Sequence, residues 1–368
     1  MHYDVIVIGA GPGGCMAARE LSARGFRVLL VEREALPREK ACAGFLSPEA
    51  LRLIEGAFGG LPPQCRNGEA GALGVRLLCE RGGVYDFPFS GEGVSVERSL
   101  LDAFLAGNCG AELADGYEVV DFDLRRFHVK ALLRKGEEEE SVEATYLVGA
   151  DGAGSLSLRL VRPEFHRLYA APRLEKGMLV VSEGRADWDA RWMGLAMTGE
   201  GTGLARFFAR GDRISLAVSI REGRGWREEL DSLQAFLSRR VGLVLRGEAV
   251  RNPTARNRMG AAGDYNLGAG CALLVGEAAG LVDPWGFGIR LALESGRVAA
   301  AAVADSAGEN ITPHLRYRYL MQPLLEEEIA QRRRFAGRVG EVDVSALASP
   351  RGRRERGDRR ALRRRLHV

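Results

Sequence analysis

The sequence lacks the features that define several protein classes. Its 368 residues include six cysteines, at positions 15, 42, 65, 79, 109 and 271, with no CxxC pair and no histidine at metal-ligand spacing. Neither a disulfide framework nor a metal site is therefore predicted. No apolar run approaches the roughly 18 residues that cross a bilayer, and Asp4 lies where a signal peptide carries basic charge. We expect a cytoplasmic protein with reduced thiols, large enough for one or two full cores.

An excess of one charge sign is also missing from most of the chain. There are 52 basic and 49 acidic residues, but residues 350–368 hold nine arginines against Glu355 and Asp358. This tail carries +7 and the remainder −4, so the folded part is not expected to bind nucleic acid. The tail is predicted to be disordered. It is either a solvated tail of no specific use or a peripheral contact with an anionic membrane surface.

The N-terminal third contains the strongest local structural signals. Tyr3–Ile8 is an apolar, β-branched run, followed by GAGPGG, a helical stretch over 13–24 and a second apolar run that ends at Glu32. This order predicts a parallel βαβ unit. Ser47 before Pro48 predicts a capped helix over 47–57.

The middle of the chain changes to short strands. Two runs, 127–133 and 142–147, flank the sequence KGEEEE and predict a hairpin. Residues 160–260 predict a mostly antiparallel sheet with one helix near 225–240. A buried strand over 271–275 and a long helix over 290–304 then return the chain to the first domain.

Glycines follow the first predicted strand at the spacing of a dinucleotide-binding turn. Gly9, Gly11 and Gly14 form GxGxxG, and Glu32 ends the next strand. The glycines permit a tight turn, a close approach of backbone amides to a pyrophosphate, and close packing of the helix on the sheet. A carboxylate at the end of the second strand accepts from ribose hydroxyls and repels a 2′-phosphate. FAD or NAD is therefore predicted rather than NADP.

Two later segments decide between these dinucleotides. Residues 149–152 read GADG, with Ser155 four residues after the aspartate, and residues 275–280 read VGEAAG. Together with Arg98 in VERSLLDAFL, they resemble the FAD-dependent oxidoreductases of the p-hydroxybenzoate hydroxylase fold. This resemblance implies an α/β fold, in which a Rossmann-type FAD-binding domain carries an inserted α+β substrate domain with an antiparallel sheet.

The resemblance also implies a set of cofactor-binding positions. Backbone amides of Gly288 and Ile289 would face the pyrimidine oxygen of the flavin at a helix N-terminus. Glu277 stands where the family usually has aspartate, and the loop before Gly288 is one residue short. The predicted FAD contacts are Gly9, Ala10, Gly11, Pro12, Gly13, Gly14, Glu32, Arg33, Cys42, Ala43, Arg98, Val119, Asp151, Gly152, Gly276, Glu277, Gly286, Gly288 and Ile289.

One segment resembles a particular branch of this fold. Residues 37–50, PREKACAGFLSPEA, are similar to the geranylgeranyl reductases, which reduce isolated double bonds of prenyl chains. Cys42 falls on that branch's cysteine and Gly44 on one of its glycines, with Ala43 replacing the other. A cysteine in an apolar segment is more often core than catalytic, so Cys42 and Gly44 are predicted as active-site neighbours. Residues 204–209, LARFFA, lack the branch's aromatic-rich signature.

We predict an FAD-dependent oxidoreductase that reduces carbon–carbon double bonds of an isoprenoid or similar apolar small molecule. An FAD-dependent monooxygenase of a small organic molecule is the main alternative, and a flavin-binding protein without catalytic use is a third. The electron donor would be NAD(P)H or a reduced protein. The predicted division is an FAD-binding domain (1–70, 95–160 and 265–305), a substrate domain (71–94 and 161–264), a C-terminal helical segment (306–349) and the basic tail (350–368).

Overall fold

The computed structural model describes residues 2–42, 44–68, 71–80, 83–198, 203–221, 223–260, 263–283, 287–309 and 311–338. The helices are α1 (Pro12–Ser22), α2 (Pro48–Phe58), α3 (Arg98–Gly107), α4 (Leu156–Val161), α5 (Pro163–Phe165), α6 (Trp226–Val241), α7 (Ile289–Ser306) and α8 (Pro313–Arg338). The strands are β1 (His2–Ile8), β2 (Val28–Glu32), β3 (Phe45–Leu46), β4 (Ala72–Cys79), β5 (Val84–Ser95), β6 (Glu112–Asp115), β7 (Glu118–Arg125), β8 (His128–Lys135), β9 (Glu138–Gly149), β10 (Leu174–Arg185), β11 (Trp192–Thr198), β12 (Gly203–Arg210), β13 (Arg213–Ser219), β14 (Val244–Asn257), β15 (Gly268–Ala269) and β16 (Ala272–Leu274).

The first sheet is built on parallel strands. β1 lies at its centre and pairs in parallel with β2 and β9, which pair in turn with β6 and β16. Val5, Ile6 and Val7 of β1 are fully buried, as expected of a strand covered on both faces. β8 extends this sheet through antiparallel pairing with β9, and β7 pairs in turn with β8, also antiparallel. The carboxyl ends of β1, β2 and β9 therefore meet at one edge, where the glycine turn begins.

Small residues allow α1 and α7 to pack closely. A Cβ on Gly296 of α7 would lie 2.3 Å from the carbonyl oxygen of Gly13 in α1. A Cβ on Gly13 would in turn lie 3.1 Å from the carbonyl oxygen of Ala292. Close packing of the two helices is therefore one explanation for glycine at position 13, and the predicted contact with a cofactor is another.

The second sheet is mostly antiparallel and has two different faces. Its strand order in the described chain is β14-β10-β13-β12-β11-β4-β5-β3, with β4 and β11 pairing in parallel. α6 covers the outer face, where Phe207 packs with Leu233 and Phe236. Phe208, one residue after Phe207, belongs to the inner face together with Phe45.

The structure confirms the predicted α/β fold with an antiparallel-rich second sheet. β8 and β9 form the predicted hairpin, and the hydroxyl of Ser47 accepts a hydrogen bond from the Ala50 amide at the start of α2. Residues 71–94 lie mainly in β4 and β5 of the second sheet. The proposed division into domains stays a prediction, and the basic tail 350–368 lies outside the described residues. No helix in the described ranges is long and apolar enough to cross a membrane.

Candidate functional site

The glycine turn after β1 has no room for a side chain where it packs against the sheet, but it has free space at one residue. Gly9 has φ +100°, and a Cβ there would lie 2.6 Å from the carbonyl oxygen of Ala150. A Cβ on Gly14 would lie 1.9 Å from the carbonyl oxygen of Gly9. By contrast, a Cβ on Gly11, the N-cap of α1, would have no described atom within 4 Å beyond its chain neighbours. The space at Gly11 is where an anionic group would meet the N-terminus of α1.

Glu32 closes the turn from the end of β2. Its Oε2 accepts from the Ala10 amide at 3.0 Å and from Arg38 Nη2 at 3.1 Å. Its Oε1 accepts from the Glu34 amide at 3.3 Å. Glu32 is buried, so this carboxylate is fixed in place before any ribose is present.

A buried charge network connects Glu32 with the predicted Arg98. Arg38 Nη1 lies 3.1 Å from Asp102 Oδ2, and Arg98 makes bidentate contact with the same carboxylate, at 2.9 Å from its Nη2 to Oδ2. Burial disfavours the charged form of Arg98, but Asp102 and then Cys42 outweigh it and raise the pKa of Arg98. Asp102 is fully buried. The sequence motifs indicated Arg98 but neither Arg38 nor Asp102, whose mutual contact joins residues 64 positions apart. Only the i, i+4 spacing of Arg98 and Asp102 offered a signal.

Asp151 organises the turn after β9. Its Oδ1 accepts from the Ser155 hydroxyl at 2.6 Å, and its Oδ2 accepts from the Ser157 amide at 2.8 Å. Burial raises the pKa of Asp151, against the lowering effect of these hydrogen bonds. Gly152 follows with φ +77°, and a Cβ there would meet no described atom within 4 Å. Asp151 thus holds the start of α4, while Gly152 leaves open space beside it.

The side chain of Glu277 is long enough to reach the second sheet. Its Oε1 accepts from the backbone amide of Asn257, at the end of β14, at 2.8 Å. Burial raises the pKa of Glu277, while Arg256, Lys40 and Arg206 act in the opposite direction. The additional methylene relative to aspartate therefore links the two sheets. Gly276, next to it, has φ +58° and donates its amide to Ser295 Oγ at 2.9 Å.

Asn257 is a third residue of this region that no sequence pattern indicated. Its Nδ2 donates to the carbonyl oxygens of Ala153 and Ala170 at 3.3 and 3.2 Å. Its Oδ1 accepts from the Met259 amide at 2.9 Å. The side-chain amide of Asn257 is buried, and both its nitrogen and its oxygen form hydrogen bonds. It therefore fixes the end of β14 against the turn that carries Asp151.

The loop before α7 closes on itself. The Phe287 amide donates to Asp283 Oδ1 at 2.7 Å, and the Asp283 amide donates to the Phe287 carbonyl at 3.0 Å. Gly288 is the N-cap of α7 and Ile289 its first residue, so their amides point from a helix N-terminus, as predicted for the flavin contacts. Gly286 lies outside the described residues.

The segment that resembles the geranylgeranyl reductases is exposed at its cysteine. Cys42 is exposed, whereas the other five cysteines are buried; its assignment as an active-site neighbour stays a prediction. The Gly44 amide contacts Cys42 Sγ at 3.4 Å. Gly44 has φ +65°, and a Cβ there would lie 1.8 Å from the Val96 carbonyl oxygen, so packing alone requires glycine. Ala43 lies outside the described residues.

Two predicted cofactor contacts have other surroundings. Arg33 is exposed and lies 3.6 Å from Glu34. Val119 is buried in the core of the first sheet, so only its backbone would be available to a ligand. Both assignments stay predictions.

Two arginines of the second sheet face this region. Arg206 lies on β12 and Arg256 on β14, and both act on the charge of Glu277. Burial, with Arg256 next, lowers the pKa of Arg206 to about 9, so it is charged at neutral pH. Positive charge of this kind would stabilise an electron-rich ring system between the two sheets. No motif in LARFFA indicated Arg206, whose place between the two sheets is set by the fold.

The described residues fit FAD. The open Gly11, the fixed Glu32 and the N-termini of α1 and α7 supply what a pyrophosphate, a ribose and a flavin require. Arg38 Nε is buried and has no hydrogen-bond partner among the described residues, which leaves one donor beside Glu32 for a ligand.

Comparison with known families gives the same result. Residues 2–174 match the model of the FAD binding domain. Residues 2–174 therefore form an FAD-binding domain. FAD is the cofactor of this flavoprotein, and the predicted resemblance to its fold family is confirmed.

Curated relatives of the flavoprotein include both reductases and a monooxygenase. Menaquinone reductase of Mycolicibacterium smegmatis is 29% identical over 323 residues, 81% of this chain and 75% of the relative. Digeranylgeranylglycerophospholipid reductase of Methanothrix thermoacetophila is 27% identical over 333 residues, 85% of this chain and 80% of the relative. The 12-dehydrotetracycline 5-monooxygenase/anhydrotetracycline 6-monooxygenase of Streptomyces rimosus is 31% identical over 180 residues, 45% of this chain. That match spans only 34% of the monooxygenase.

Solved structures share the fold of the flavoprotein. A geranylgeranyl bacteriochlorophyll reductase-like protein from Thermoplasma acidophilum superimposes with a TM-score of 0.72 at 19% identity, over 94% of this chain and 89% of its own. At this identity the likeness concerns the fold alone.

Proposed function

We propose that this flavoprotein reduces carbon–carbon double bonds of an isoprenoid or a similarly apolar small molecule. The proposal is carried by the apolar inner face of the second sheet, where Phe45 and Phe208 pack together and line a cavity of about 490 Å³. This face lies beside the segment that bears Cys42. An alkene offers no hydrogen-bonding groups, so an apolar wall is the surface that suits it. The reductases that align with 81% and 85% of the chain support the same function.

The residues of the site have separate tasks in such a reduction. After reduction by an electron donor, NAD(P)H or a reduced protein, bound FAD would supply the hydride. Glu32 and the open turn at Gly11 would hold the cofactor, and Arg206 with Arg256 would oppose negative charge between the sheets. The apolar face would position the double bond and exclude water.

Asp283 can hold a proton near the site. Burial, with Glu328 next, raises the pKa of Asp283 to about 7. Its carboxyl group is therefore about half protonated at neutral pH. Addition of hydrogen across a double bond consumes one hydride and one proton, and we assign Asp283 as a store for that proton. Its Oδ1 stays in place through the Phe287 amide.

Monooxygenation of a small organic molecule is the second candidate. It is favoured by the 31% identity with the tetracycline monooxygenase over 180 residues. Both candidates need FAD, and they differ in whether the product gains two hydrogen atoms or one oxygen atom.

The experiment compares the two products directly. The FAD-loaded protein is reduced with dithionite without oxygen and mixed with geranylgeraniol, and the products are analysed by mass spectrometry. We expect products that have gained pairs of hydrogen atoms, together with oxidation of the flavin absorbance bands. Parallel reactions contain NADH or NADPH, air and a panel of aromatic compounds. An oxygenated product there, with no hydrogenated product in any anaerobic reaction, would contradict the reductase and support the monooxygenase.

A further inference from the structure

Two buried hydroxyl groups join the helices α7 and α8 to the end of β16. They belong to Ser295 of α7 and Tyr317 of α8, and both residues have no solvent exposure. Neither is among the predicted cofactor contacts, and neither has a task in the proposed reduction. A polar group is costly to bury unless it forms hydrogen bonds. The partners of these two hydroxyls therefore indicate what the residues do.

The hydroxyl of Ser295 connects α7 with the turn that follows β16. Its oxygen accepts from the Gly276 amide at 2.9 Å, and it donates to the carbonyl oxygen of Ala292, one turn earlier in α7, at 3.1 Å. Gly276 immediately precedes Glu277, whose side chain accepts from the Asn257 amide. The turn is therefore held from two sides, by α7 through its backbone and by β14 through Glu277.

The hydroxyl of Tyr317 lies where β16, α7 and α8 meet. It donates to the carbonyl oxygen of Leu274, the last residue of β16, at 3.0 Å, and it lies 3.4 Å from the carbonyl oxygen of Ser295. Burial raises the pKa of Tyr317, so the phenol keeps the proton that it donates. One hydroxyl of α8 thus contacts the strand before the turn and the helix that binds the turn.

The position of Ser295 in α7 also determines where this helix begins. Ile289 is the first residue of α7, and six residues of α-helix span roughly 9 Å along the axis. A Cβ on Gly276 would lie 3.1 Å from the Cβ of Ala292, so α7 has no room to move closer to the turn. The hydrogen bond between Ser295 and Gly276 prevents it from moving away. Together they fix the amides of Gly288 and Ile289 relative to the turn.

This distance matters most when the flavin is reduced. Reduced FAD carries a negative charge on its ring system, whereas the ring of oxidised FAD is neutral. A helix N-terminus stabilises negative charge, and the effect falls off within the first turn. Backbone amides act on such a charge only when they are held at the right distance from it. A displacement of α7 would therefore weaken the binding of reduced FAD more than the binding of oxidised FAD.

We propose that Ser295 and Tyr317 are positioning residues of the flavin site. Through Gly276 and the end of β16 they hold α7 where its N-terminal amides oppose the charge of reduced FAD. Neither side chain touches the cofactor. The inference requires only that FAD binds at the N-terminus of α7, and it is independent of the choice between reduction of double bonds and monooxygenation.

The test measures the affinities for oxidised and reduced FAD separately. The apoprotein is titrated with oxidised FAD, and the midpoint potential of bound FAD relative to free FAD gives the ratio of the two affinities. We expect Ser295→Ala to weaken the binding of reduced FAD about 3- to 10-fold more than that of oxidised FAD, and Tyr317→Phe about 2- to 5-fold more, because each removes hydrogen bonds of one hydroxyl. The double variant should show less than the product of the two effects, since both residues act on the same helix.

Three further measurements separate positioning from stability. Ser306→Ala is the matched control, because Ser306 is a buried serine at the last residue of α7, and it should keep the ratio of affinities. Ser295→Thr retains the hydroxyl and is expected to keep the ratio as well. The unfolding midpoint of each apoprotein is recorded. Tyr317→Phe, which removes a single oxygen, keeps the test valid if Ser295→Ala does not fold.

An equal loss of affinity for oxidised and reduced FAD in Ser295→Ala and Tyr317→Phe would overturn the proposal. Lower unfolding midpoints with both affinities unchanged would do so too, because the two hydroxyls would then serve stability alone. A ratio that changes as much in Ser306→Ala would have the same consequence. A changed ratio in a protein that neither hydrogenates nor oxygenates any probe would support the positioning role and count against the proposed function only.

Discussion

Gly11 and Gly14 lie three residues apart in one turn, but a side chain has opposite consequences at the two positions. A Cβ at Gly11 would meet no described atom within 4 Å, whereas one at Gly14 would lie 1.9 Å from the Gly9 carbonyl. We expect Gly11→Ala to fold with a near-normal unfolding midpoint and to lose at least 10-fold in FAD affinity, because the methyl group enters the space for the pyrophosphate. Gly14→Ala is expected to fold poorly. Thermal unfolding of the apoprotein and flavin titration measure the two effects.

A control for this pair is Gly56→Ala in α2, where a Cβ also meets no described atom. It should keep normal FAD affinity and gain slightly in stability, since alanine favours a helix. Unchanged FAD affinity in Gly11→Ala would show that the pyrophosphate does not lie at this turn.

Glu277 permits a second test with a one-carbon change. Glu277→Asp shortens the side chain that accepts from the Asn257 amide at 2.8 Å. We expect the free energy of unfolding to fall by about 1 to 2 kcal/mol with little change in FAD affinity, because aspartate is the usual residue of the resembling family. Chemical denaturation and flavin titration separate the two quantities. A large loss of FAD affinity with unchanged stability would mean that the carboxylate serves the cofactor rather than β14.

At the scale of elements, α8 holds the start of α7 in place. Arg290 in the first turn of α7 pairs with Glu328 of α8, and with Glu294 at 3.1 Å. Arg332 of α8 donates to the carbonyl oxygen of Val282, beside Asp283. Burial raises the pKa of Glu328, and its side chain has no solvent exposure. The C-terminal helix therefore supports the loop that precedes the amides of Gly288 and Ile289, which are predicted to face the flavin.

Glu328→Gln is the corresponding prediction. The substitution removes the buried negative charge that pairs with Arg290, although Arg290 still contacts Glu294. We therefore expect the free energy of unfolding to fall by about 1 to 3 kcal/mol. Glu327→Gln is the control, because Glu327 is half-exposed and lies 4.0 Å from Arg290; its effect should stay below about 0.5 kcal/mol. Urea denaturation of the two variants measures both. Equal effects would show that α8 is not fixed through Glu328.

The elements that the sequence predicted are those with local signals. β1, α1 and β2 follow from a buried run, a glycine turn and a second buried run, and α2 from Ser47 at its N-cap. The parallel pairing of β4 with β11 joins segments far apart in sequence, and no local pattern records it. The same limit explains the candidate site: Glu32 was found from its motif, while its partner Arg38 and then Asp102 become neighbours only in the folded chain.

At the scale of the whole molecule, the two sheets meet through buried polar groups rather than apolar side chains alone. Glu277 accepts from the Asn257 amide, and Arg206 of the second sheet acts on the charge of Asp283. Such contacts hold a cofactor site at the junction with fixed geometry. They also make the stability of the protein depend on pH, because burial shifts the pKa of several of these groups.

Asp283→Asn isolates the largest of these pH effects. Burial, and then Glu328, raises the pKa of Asp283 from 3.8 to about 7, against the Phe287 amide, Arg290 and Arg206. Between these values the folded protein keeps a proton that the unfolded chain releases, so wild-type stability falls as pH rises from about 4 to about 7 and levels off above. Asparagine can still accept the hydrogen bond from the Phe287 amide. Because it does not titrate, this loss of stability with rising pH is absent in the variant.

We therefore expect the stability of Asp283→Asn, relative to the wild type, to increase by up to about 3 kcal/mol from pH 4.5 to pH 8. Burial of His314, which lowers its pKa to about 4, acts with the opposite sign in the same range, but it is present in both proteins and cancels in the difference. Urea denaturation at several pH values, with Asp212→Asn as a control at the exposed turn between β12 and β13, measures the effect. A stability difference that does not change with pH would mean that Asp283 is ionised throughout and cannot store the proton assigned to it.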